Sequence, residues 1–283
     1  MAEKPVMAIG PKSRTSVKSA SNVPAQRPII GLPVGEFMAG PKILLKKLVG
    51  LSDMLEIKAY PEPQWLPQAK PRAFHWNYGF VEDDFFDLFP LIGPELNGSL
   101  MFSADLGPAA KRRQGPFPVT RVLKPGEIEK TMGKAVELIR KYYSGPIGAE
   151  NYNFYPTGLY EGVCEPDHIG SLLEKFDLFL VLDVAHALVS AHNLERPGWS
   201  YIRELPLDRV KEIHLSAPYV PAAKKYLAVD THEPPGEREW TILKWLLKKI
   251  GSASPLIVIE CYQSPEIVYE SYSKLVEILN SMN

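Results

Sequence analysis

The chain has 283 residues, of which 45% are hydrophobic and 23% charged, and its formal net charge is −1. This composition is typical of a globular protein with a sizeable core, and the near-neutral charge argues against general binding to nucleic acid or to an anionic membrane. Cys164 and Cys261 lack CxxC spacing and no apolar run reaches the length of a membrane span, so we expect no disulfide framework, no thiolate zinc site and a reducing, cytoplasmic setting.

The first segment, residues 1–27, contains Pro, Ser, Lys and Arg with Glu3 as its single acid, and it shows neither helical nor strand periodicity. Such a composition buries too little apolar surface to offset the entropy lost on ordering. We therefore predict a flexible N-terminal arm at 1–27 and one folded domain at 28–283. A transit peptide has a similar composition, but the scattered prolines disfavour the amphipathic helix that it needs.

From residue 28 onward, short β-branched or aromatic runs alternate with segments of helical periodicity, which is the pattern of repeated βα units. The predicted strands are 28–34, 53–60, 72–78, 100–106, 146–152, 177–184, 210–217 and 256–262. The predicted helices are 40–50, 83–89, 125–143, 166–175, 198–205, 236–250 and 264–281. This alternation predicts a single closed (β/α)8 TIM barrel of the α/β class, with an open doubly wound sheet as the alternative.

Polar residues with metal-binding side chains end nearly every predicted strand. In a TIM barrel the active site lies at the carboxyl ends of the strands, where the inward side chains converge. The residues that end the second to the eighth strand are Glu56, His75, Asp105, Glu150, Asp183, His214 and Glu260. The sequence therefore predicts a polar site at one mouth of the barrel.

Two further groups extend this set. His186 lies three residues after Asp183, and Asp230 and His232 fall in the predicted loop after the seventh strand. Imidazole and carboxylate groups together suit iron, manganese and zinc, and they exceed what one ion can bind, so we expect two or three ions that share carboxylates. The predicted metal ligands are His75, Asp105, Glu150, Asp183, His186, His214, Asp230, His232 and Glu260.

Each of these residues also has a structural explanation. A single acid at a strand end often caps the next helix or forms a salt bridge, and Glu56 could simply pair with Lys58. Burying several such polar residues on apolar strands costs free energy, unless the residues bind ions or pair with one another. His168 and His192 are expected at a helix start and in a loop, and the basic cluster 111–113 is either a solvated loop or a contact for an anionic substrate.

Several short motifs in the second half of the chain carry a family resemblance. They are Glu150-Asn151, Leu182-Asp183-Val184-Ala185-His186, residues 201–206 followed by 212–216, Asp230-Thr231-His232 with Trp240, and Glu260. In order and spacing they resemble the multinuclear non-heme iron-dependent oxidases (the MNIO or DUF692 family), which belong to the xylose-isomerase-like barrels. The resemblance runs from about Gly31 to Glu260 and is loose at its start, in residues 31–35.

This resemblance implies an enzyme that binds two or three irons and uses O2 to oxidise a side chain, often cysteine, of a ribosomally made peptide that a partner protein could deliver. Carried over by position, it implies that His75, Glu150, Asp183, His214, Asp230, His232 and Glu260 are metal ligands. His186 stands where many members have Asn. Asp105 stands before Leu106, where the family usually has His, and this departure bears on the number of ions and on the chemistry.

Three other functions remain open from the sequence. A zinc-dependent phosphodiesterase like endonuclease IV also uses Asp-x-x-His, His-Leu, Asp-x-His and a last-strand Glu, but the neutral charge makes a nucleic acid partner unlikely. A xylose-isomerase-like sugar isomerase would use two divalent ions, with zinc or manganese as alternatives to iron, and a Lys or His poised for proton transfer. A barrel that only binds its ligand is the non-enzymatic alternative. The substrate is accordingly a peptide or a small molecule.

Overall fold

The computed structural model describes residues 27–34, 42–58, 66–67, 69–223, 225–251 and 255–282. The predicted arm lies outside the described residues except for Arg27, whose guanidinium pairs with Asp53 at 2.6 Å. The boundary between arm and domain stays a prediction.

The strands of the described residues form one barrel and two small hairpins. They are β1 Ile29–Val34, β2 Met54–Ile57, β3 Arg72–Gly79, β4 Phe102–Asp105, β5 Arg113–Gln114, β6 Phe117–Pro118, β7 Ile147–Glu150, β8 Phe179–Asp183, β9 Val210–Leu215, β10 Ala217–Tyr219, β11 Val229–Glu233 and β12 Leu256–Ile259. Eight of them pair in parallel in the order β1-β12-β9-β8-β7-β4-β3-β2, and β2 closes the barrel on β1. Each of the eight predicted runs overlaps one barrel strand, with β3 extending one residue beyond its run to Gly79, so the predicted (β/α)8 fold is confirmed.

Helices cover the barrel on the outside. They are α1 Lys42–Leu51, α2 Asp83–Ile92, α3 Pro125–Arg140, α4 Pro166–Phe176, α5 Val184–Asn193, α6 Gly198–Glu204, α7 Glu237–Ile250 and α8 Pro265–Met282. Helices α3 and α4 begin at Pro125 and Pro166 and carry an acid in the first turn, which satisfies the geometry and the dipole of a helix start. None of the described helices is both long and apolar enough to cross a membrane.

Helix α5 is an element that the sequence did not predict. Positions 184–193 were assigned to a strand end and a loop, and that assignment was wrong. Every residue from Val184 to Ala191 is buried, so the helix shows no polar face and therefore no helical periodicity in the sequence. Its start is fixed by Asp183, the last residue of β8, whose Oδ1 accepts a hydrogen bond of 2.6 Å from the backbone N–H of His186.

The first and last barrel strands are joined by a buried tyrosine. The hydroxyl of Tyr272 on α8 donates to the carbonyl of Gly31 at 2.6 Å and accepts from the N–H of Ile259 at 3.1 Å. Gly31 permits this close packing, because a Cβ there would lie 2.8 Å from the side chain of Val258. The seam between β1 and β12 is therefore held by a side-chain bridge in addition to the strand pairing.

The two hairpins lie over the carboxyl ends of the strands. Strand β5 pairs with β6, and β10 pairs with β11 so that Ala217 faces Glu233 and Tyr219 faces Val229. Asp230 and His232 lie after the seventh barrel strand, as predicted, but on the short strand β11 instead of in a loop. The exposed, polar character of this short strand hid it in the sequence.

Candidate metal centre

The register of the barrel brings the strand-end residues into neighbouring positions. Asp105 of β4 is the register partner of Glu150 on β7, and Asp183 of β8 is the partner of His214 on β9. Since adjacent parallel strands end at the same rim, their inward side chains meet at one mouth of the barrel.

His214 lies at the centre of the site, fully buried, with both ring nitrogens facing carboxylates. Its Nδ1 lies 2.7 Å from Glu150 Oε1 and 3.0 Å from Glu260 Oε1, and its Nε2 lies 3.0 Å from Glu56 Oε1 and 3.5 Å from Glu212 Oε1. Burial disfavours the protonated ring, but the charges of Glu260, Glu56 and Glu150 outweigh it and raise the pKa of His214 well above its ordinary value.

His75 occupies the same mouth from β3. Its Nε2 lies 3.6 Å from Asp105 Oδ1 and 3.4 Å from Glu150 Oε2, and its ring stands 5.1 Å from that of His214. On its other side, Nδ1 lies 2.9 Å from the hydroxyl of Ser103, which itself donates to the carbonyl of Phe74. The hydroxyl therefore accepts a hydrogen bond from the N–H at Nδ1, and the lone pair of Nε2 is directed into the site.

His186 and His232 share one carboxylate oxygen. The Nε2 atoms of both rings lie 3.2 Å from Asp230 Oδ2. The Nδ1 of His186 lies 2.8 Å from the carbonyl of Asn151, and that of His232 lies 3.1 Å from the carbonyl of Glu260, so each Nδ1 is the donor. Two neutral rings would then direct their Nε2 lone pairs at an anion, an arrangement that requires a proton or a metal cation between them.

Asn151 fixes the position of Asp183. Its side-chain amide donates to the carbonyl of Asp183 at 3.0 Å and accepts from the backbone N–H of Asp183 at 2.9 Å. Within the described residues, Asp183 Oδ2 is buried and has no hydrogen-bond partner. Burial raises the pKa of Asp183 to about 7, because the loss of solvation together with the neighbouring carboxylates outweighs the opposing charge of His186.

The sequence-based ligand set omitted three buried residues of this mouth. Glu56 contacts His214, and the ammonium of Lys58 pairs with Glu260 and lies 3.7 Å from Glu56 Oε2. Glu212 lies beneath His214, and burial raises its pKa to about 7. The available signal was the spacing of two between Glu56 and Lys58 and between Glu212 and His214, which places each pair on the inward side of one strand.

The carboxylates next to cations remain ionised. Burial opposes the charge of Glu260, yet His214 and Lys58 lower its pKa to about 2. Burial likewise opposes the charge of Lys58, but Glu260 and Glu56 raise its pKa well above the ordinary value. The site is therefore a dense arrangement of charges that neutralise one another away from solvent.

Among the described residues, three groups could each hold a metal ion, with ligand atoms within 4.8 Å of one another. They overlap, because Glu150, His75 and His214 each belong to two of them. The groups are Glu56, His75 and His214; His75, Asp105 and Glu150; and Glu150, Asp183 and His214.

A cavity of about 570 Å³ opens above these groups. Tyr152, Tyr155, Tyr160 and Tyr262 line its wall, and Gly115 and Pro116 from the turn between β5 and β6 overhang it. From the basic cluster, Arg113 lines the cavity and pairs with Glu82 at 3.0 Å, whereas Lys111 and Arg112 pair with Asp83 outside it.

All nine predicted ligands lie at this one mouth of the barrel. His75, Asp105, Glu150, His186, Asp230, His232 and Glu260 line the cavity, and Asp183 and His214 lie beneath its floor. Asp105 points into the cluster with the others. His192 does not join them, because its Nε2 faces the carbonyl of Tyr226 at 2.9 Å. That the nine residues bind metal stays a prediction.

The fold defines a class before any sequence comparison. Over 89% of this chain and 97% of the other, it is similar to a D-tagatose 3-epimerase-like protein, at a TM-score of 0.60 and 16% identity. It is also similar to a xylose isomerase domain-containing protein from Salmonella typhimurium LT2, over 90% of this chain and 98% of the other, with a TM-score of 0.61 and 11% sequence identity. The chain is a xylose-isomerase-like TIM barrel.

Its family follows from the sequence of the second half. Residues 117–267, just over half of the chain, match the family described as RiPP precursor modification enzyme MbnB/TglH/ChrH, and the chain belongs to that family of enzymes. The resemblance to the MNIO family is thus confirmed. The predicted ligands from Glu150 to Glu260 lie within the matched segment. The predicted ligands His75 and Asp105 precede it, as does Lys58.

The matches to curated relatives cover half of this chain or less. A UPF0276 protein of Caulobacter sp. (strain K31) is 27% identical over 143 residues, which is 50% of each chain. A UPF0276 protein of Acaryochloris marina is 29% identical over 123 residues, which is 43% of this chain and 44% of the other. The alignments thus span about half the length of the curated relatives.

Proposed function

We propose that this chain is a metal-dependent oxidase that holds two or three iron ions at the mouth of its barrel and uses O2 to oxidise a side chain of a peptide, such as cysteine. The observation that carries the proposal is the set of three overlapping histidine–carboxylate groups beneath the cavity, in a chain of a peptide-modifying enzyme family.

The residues present fit metal ions. Asp183 Oδ2 and Glu56 Oε2 are buried and lack hydrogen-bond partners in the described part of the chain, which is expected of ligand atoms and costly otherwise. The donors are imidazole nitrogen and carboxylate oxygen, and the free cysteines Cys164 and Cys261 are not among them. Such a set suits iron, with manganese and zinc as alternatives.

Particular residues would hold the ions. His75, Asp105 and Glu150 would hold one ion, and Glu150, Asp183 and His214 would hold another. His186, Asp230 and His232 would complete the shell toward the cavity. Iron held by these residues would supply the redox chemistry with O2.

The chain itself would position the substrate and exclude water. The wall of the cavity is aromatic, with Tyr152 and Tyr160 stacked at 5.7 Å, and burial raises the pKa of Tyr160 to about 12, so that it stays a neutral donor. Phe117 follows the lining residue Pro116, and Tyr219 is the register partner of the lining residue Val229. Both are exposed, so an apolar rim adjoins the cavity. A peptide segment fits such a rim better than a polar sugar does.

The sugar isomerase alternative requires a base poised to transfer a proton. Among the described residues that line the cavity, Lys58 is the lysine, but its ion pair with Glu260 keeps it protonated and therefore unable to accept a proton. This contact argues against Lys58 as the base of an isomerase.

Metal analysis and oxygen consumption test the proposal. Protein purified without oxygen should contain two or three irons per chain, and on exposure to O2 with synthetic cysteine-containing peptides it should consume oxygen and change the peptide mass. Zinc without iron, together with no oxygen consumption, would favour the phosphodiesterase instead. His168→Ala is the matched control, because this imidazole lies on α4, and it should leave iron content unchanged.

A further inference from the structure

We propose that Arg113 binds a carboxylate group of the peptide substrate, either its C-terminus or an acidic side chain near the residue that is oxidised. The inference rests on the proposed function, because it takes the ligand to be a peptide that enters the cavity above the metal centre. It assigns a subsite on the wall of that cavity, separate from the residues that would hold the ions.

The β5–β6 hairpin directs one of three consecutive basic residues into the cavity. Arg113 begins β5 and lines the cavity, and its side chain is 27% exposed. Lys111 and Arg112 instead pair with Asp83 and line a separate surface pocket. Successive side chains of an extended chain point to opposite sides, which explains why Arg112 and Arg113 diverge here. The cavity therefore receives a single cation from this basic cluster.

Glu82 holds the guanidinium of Arg113 and leaves two of its nitrogens available. The Oε1 atom of Glu82 accepts a hydrogen bond of 3.0 Å from Nε of Arg113, and Oε2 accepts one of 2.7 Å from the backbone N–H of Gly79. Glu82 is buried, so these contacts fix the position of the arginine side chain. In the described part of the chain, Nη1 and Nη2 of Arg113 donate no hydrogen bond. These two nitrogens form a planar fork that matches the two oxygens of a carboxylate.

Two tyrosine hydroxyls belong to the same part of the wall. Tyr152 and Tyr160 line the cavity with their rings stacked, and both lie close enough to Arg113 to affect its charge equilibrium. Burial raises the pKa of both hydroxyls, to about 12 for Tyr160, although the charge of Arg113 opposes this rise. Both hydroxyls therefore stay protonated and can donate. A wall that offers a guanidinium and two hydroxyls is suited to an anionic group of the ligand.

The other charged groups of the lining are engaged elsewhere. Among the described lining residues, Lys58 is the other permanent cation, and its ammonium pairs with Glu260. Four carboxylates line the cavity, and each lies within 3.6 Å of a histidine nitrogen in the candidate metal centre: Asp105, Glu150, Asp230 and Glu260. None of these four pairs with Arg113, whose acidic partner is Glu82. A substrate carboxylate is therefore expected at Arg113 and away from the acidic floor.

The experiment measures the binding of three short peptides to the full chain purified without oxygen. The first probe is dansyl-Gly-Ser-Gly-Ser with a free C-terminal carboxylate, and the second is the same peptide with a C-terminal amide. The third is that amide with aspartate in place of the last serine. Serine replaces cysteine throughout, so the probes carry no thiol for the metal centre. Fluorescence anisotropy of the dansyl group gives the dissociation constants.

At least one anionic probe should bind the wild type about tenfold more tightly than the neutral amide, because a charged, bidentate hydrogen bond contributes roughly that factor. The tighter of the two anionic probes identifies the source of the carboxylate as the C-terminus or an acidic side chain. Arg113→Gln should abolish the preference. Arg112→Gln is the matched control and should keep it, because Arg112 pairs with Asp83 outside the cavity.

The inference is overturned if the neutral amide binds as tightly as both anionic probes, if no probe binds the wild type, or if Arg113→Gln keeps the preference. If that variant does not fold, Arg113→Met repeats the test, and a preference retained there overturns the inference. The outcomes separate from those of the proposed function. A preference that depends on Arg113 without oxygen consumption defeats the oxidase alone, whereas oxygen consumption without any carboxylate preference defeats the role of Arg113 alone.

Discussion

Replacing Asp183 separates the two tasks of its carboxylate. Oδ1 caps helix α5 through the N–H of His186, whereas Oδ2 is buried without a hydrogen-bond partner among the described residues. Asp183→Asn keeps a capping oxygen and removes the charge, while Asp183→Ala removes both. Comparing the two variants with the wild type therefore assigns a free energy of unfolding to each task.

In metal-free protein the charge of Asp183 destabilises the fold. Burial raises the pKa of this carboxyl from 3.8 to about 7, so the unfolded chain ionises it more readily and stability falls as the pH rises from 4 to 7. A shift of about three units corresponds to at most roughly 4 kcal/mol at pH 8. At pH 8 we expect Asp183→Asn to be more stable than the wild type. Asp183→Ala should be about 1 kcal/mol less stable than Asp183→Asn, because it lacks the side-chain oxygen that caps helix α5.

Metal should reverse this order. A metal ion at 1,000 times its dissociation constant stabilises the wild type by about 4 kcal/mol, and a variant without the ligand gains less. Urea unfolding at pH 8, followed by tryptophan fluorescence in EDTA and in Mn²⁺, measures both effects. If Asp183→Asn were less stable than the wild type in EDTA, the carboxylate would not be an uncompensated charge; if it gained as much from Mn²⁺, Asp183 would not be a ligand.

Three other substitutions test the site and the fold. His214→Ala should lose metal, and normal metal content in this variant would refute the central position of His214. The variant also leaves several carboxylates buried without a partner, so urea titrations of the metal-free protein should show a free energy of unfolding that is lower by roughly 3 to 5 kcal/mol. Tyr272→Phe should cost about 1 to 3 kcal/mol, since the β1–β12 seam loses its hydroxyl bridge, while metal content stays at the wild-type value; an unchanged urea midpoint would contradict this. Asp105→His should keep its metal in elemental analysis, because imidazole replaces carboxylate as a donor, and a chain left without metal would show that the carboxylate itself is needed.

Two elements of the fold, helix α5 and strand β11, could not be predicted from the sequence. The apolar helix α5 has no periodicity to distinguish it from a buried strand, and the polar strand β11 has no apolar side. Both elements matter to the site, because α5 carries His186 and β11 carries Asp230 and His232. Their residues could be chosen from the sequence as candidates, but the way in which His186 and His232 share Asp230 could not.

The sequence by itself determined the barrel and its polar mouth. Alternating strand and helix patterns specify the repeated βα unit, and His75, Glu150, His214 and the other strand-end residues stand out because polar groups are costly on apolar strands. Only the tertiary structure decided which of them face one another. Closure of the barrel and the register of its strands bring Lys58, just after β2, against Glu260, just after β12, although the two residues are 202 positions apart. No local pattern encodes that pairing, because it depends on how the whole sheet closes.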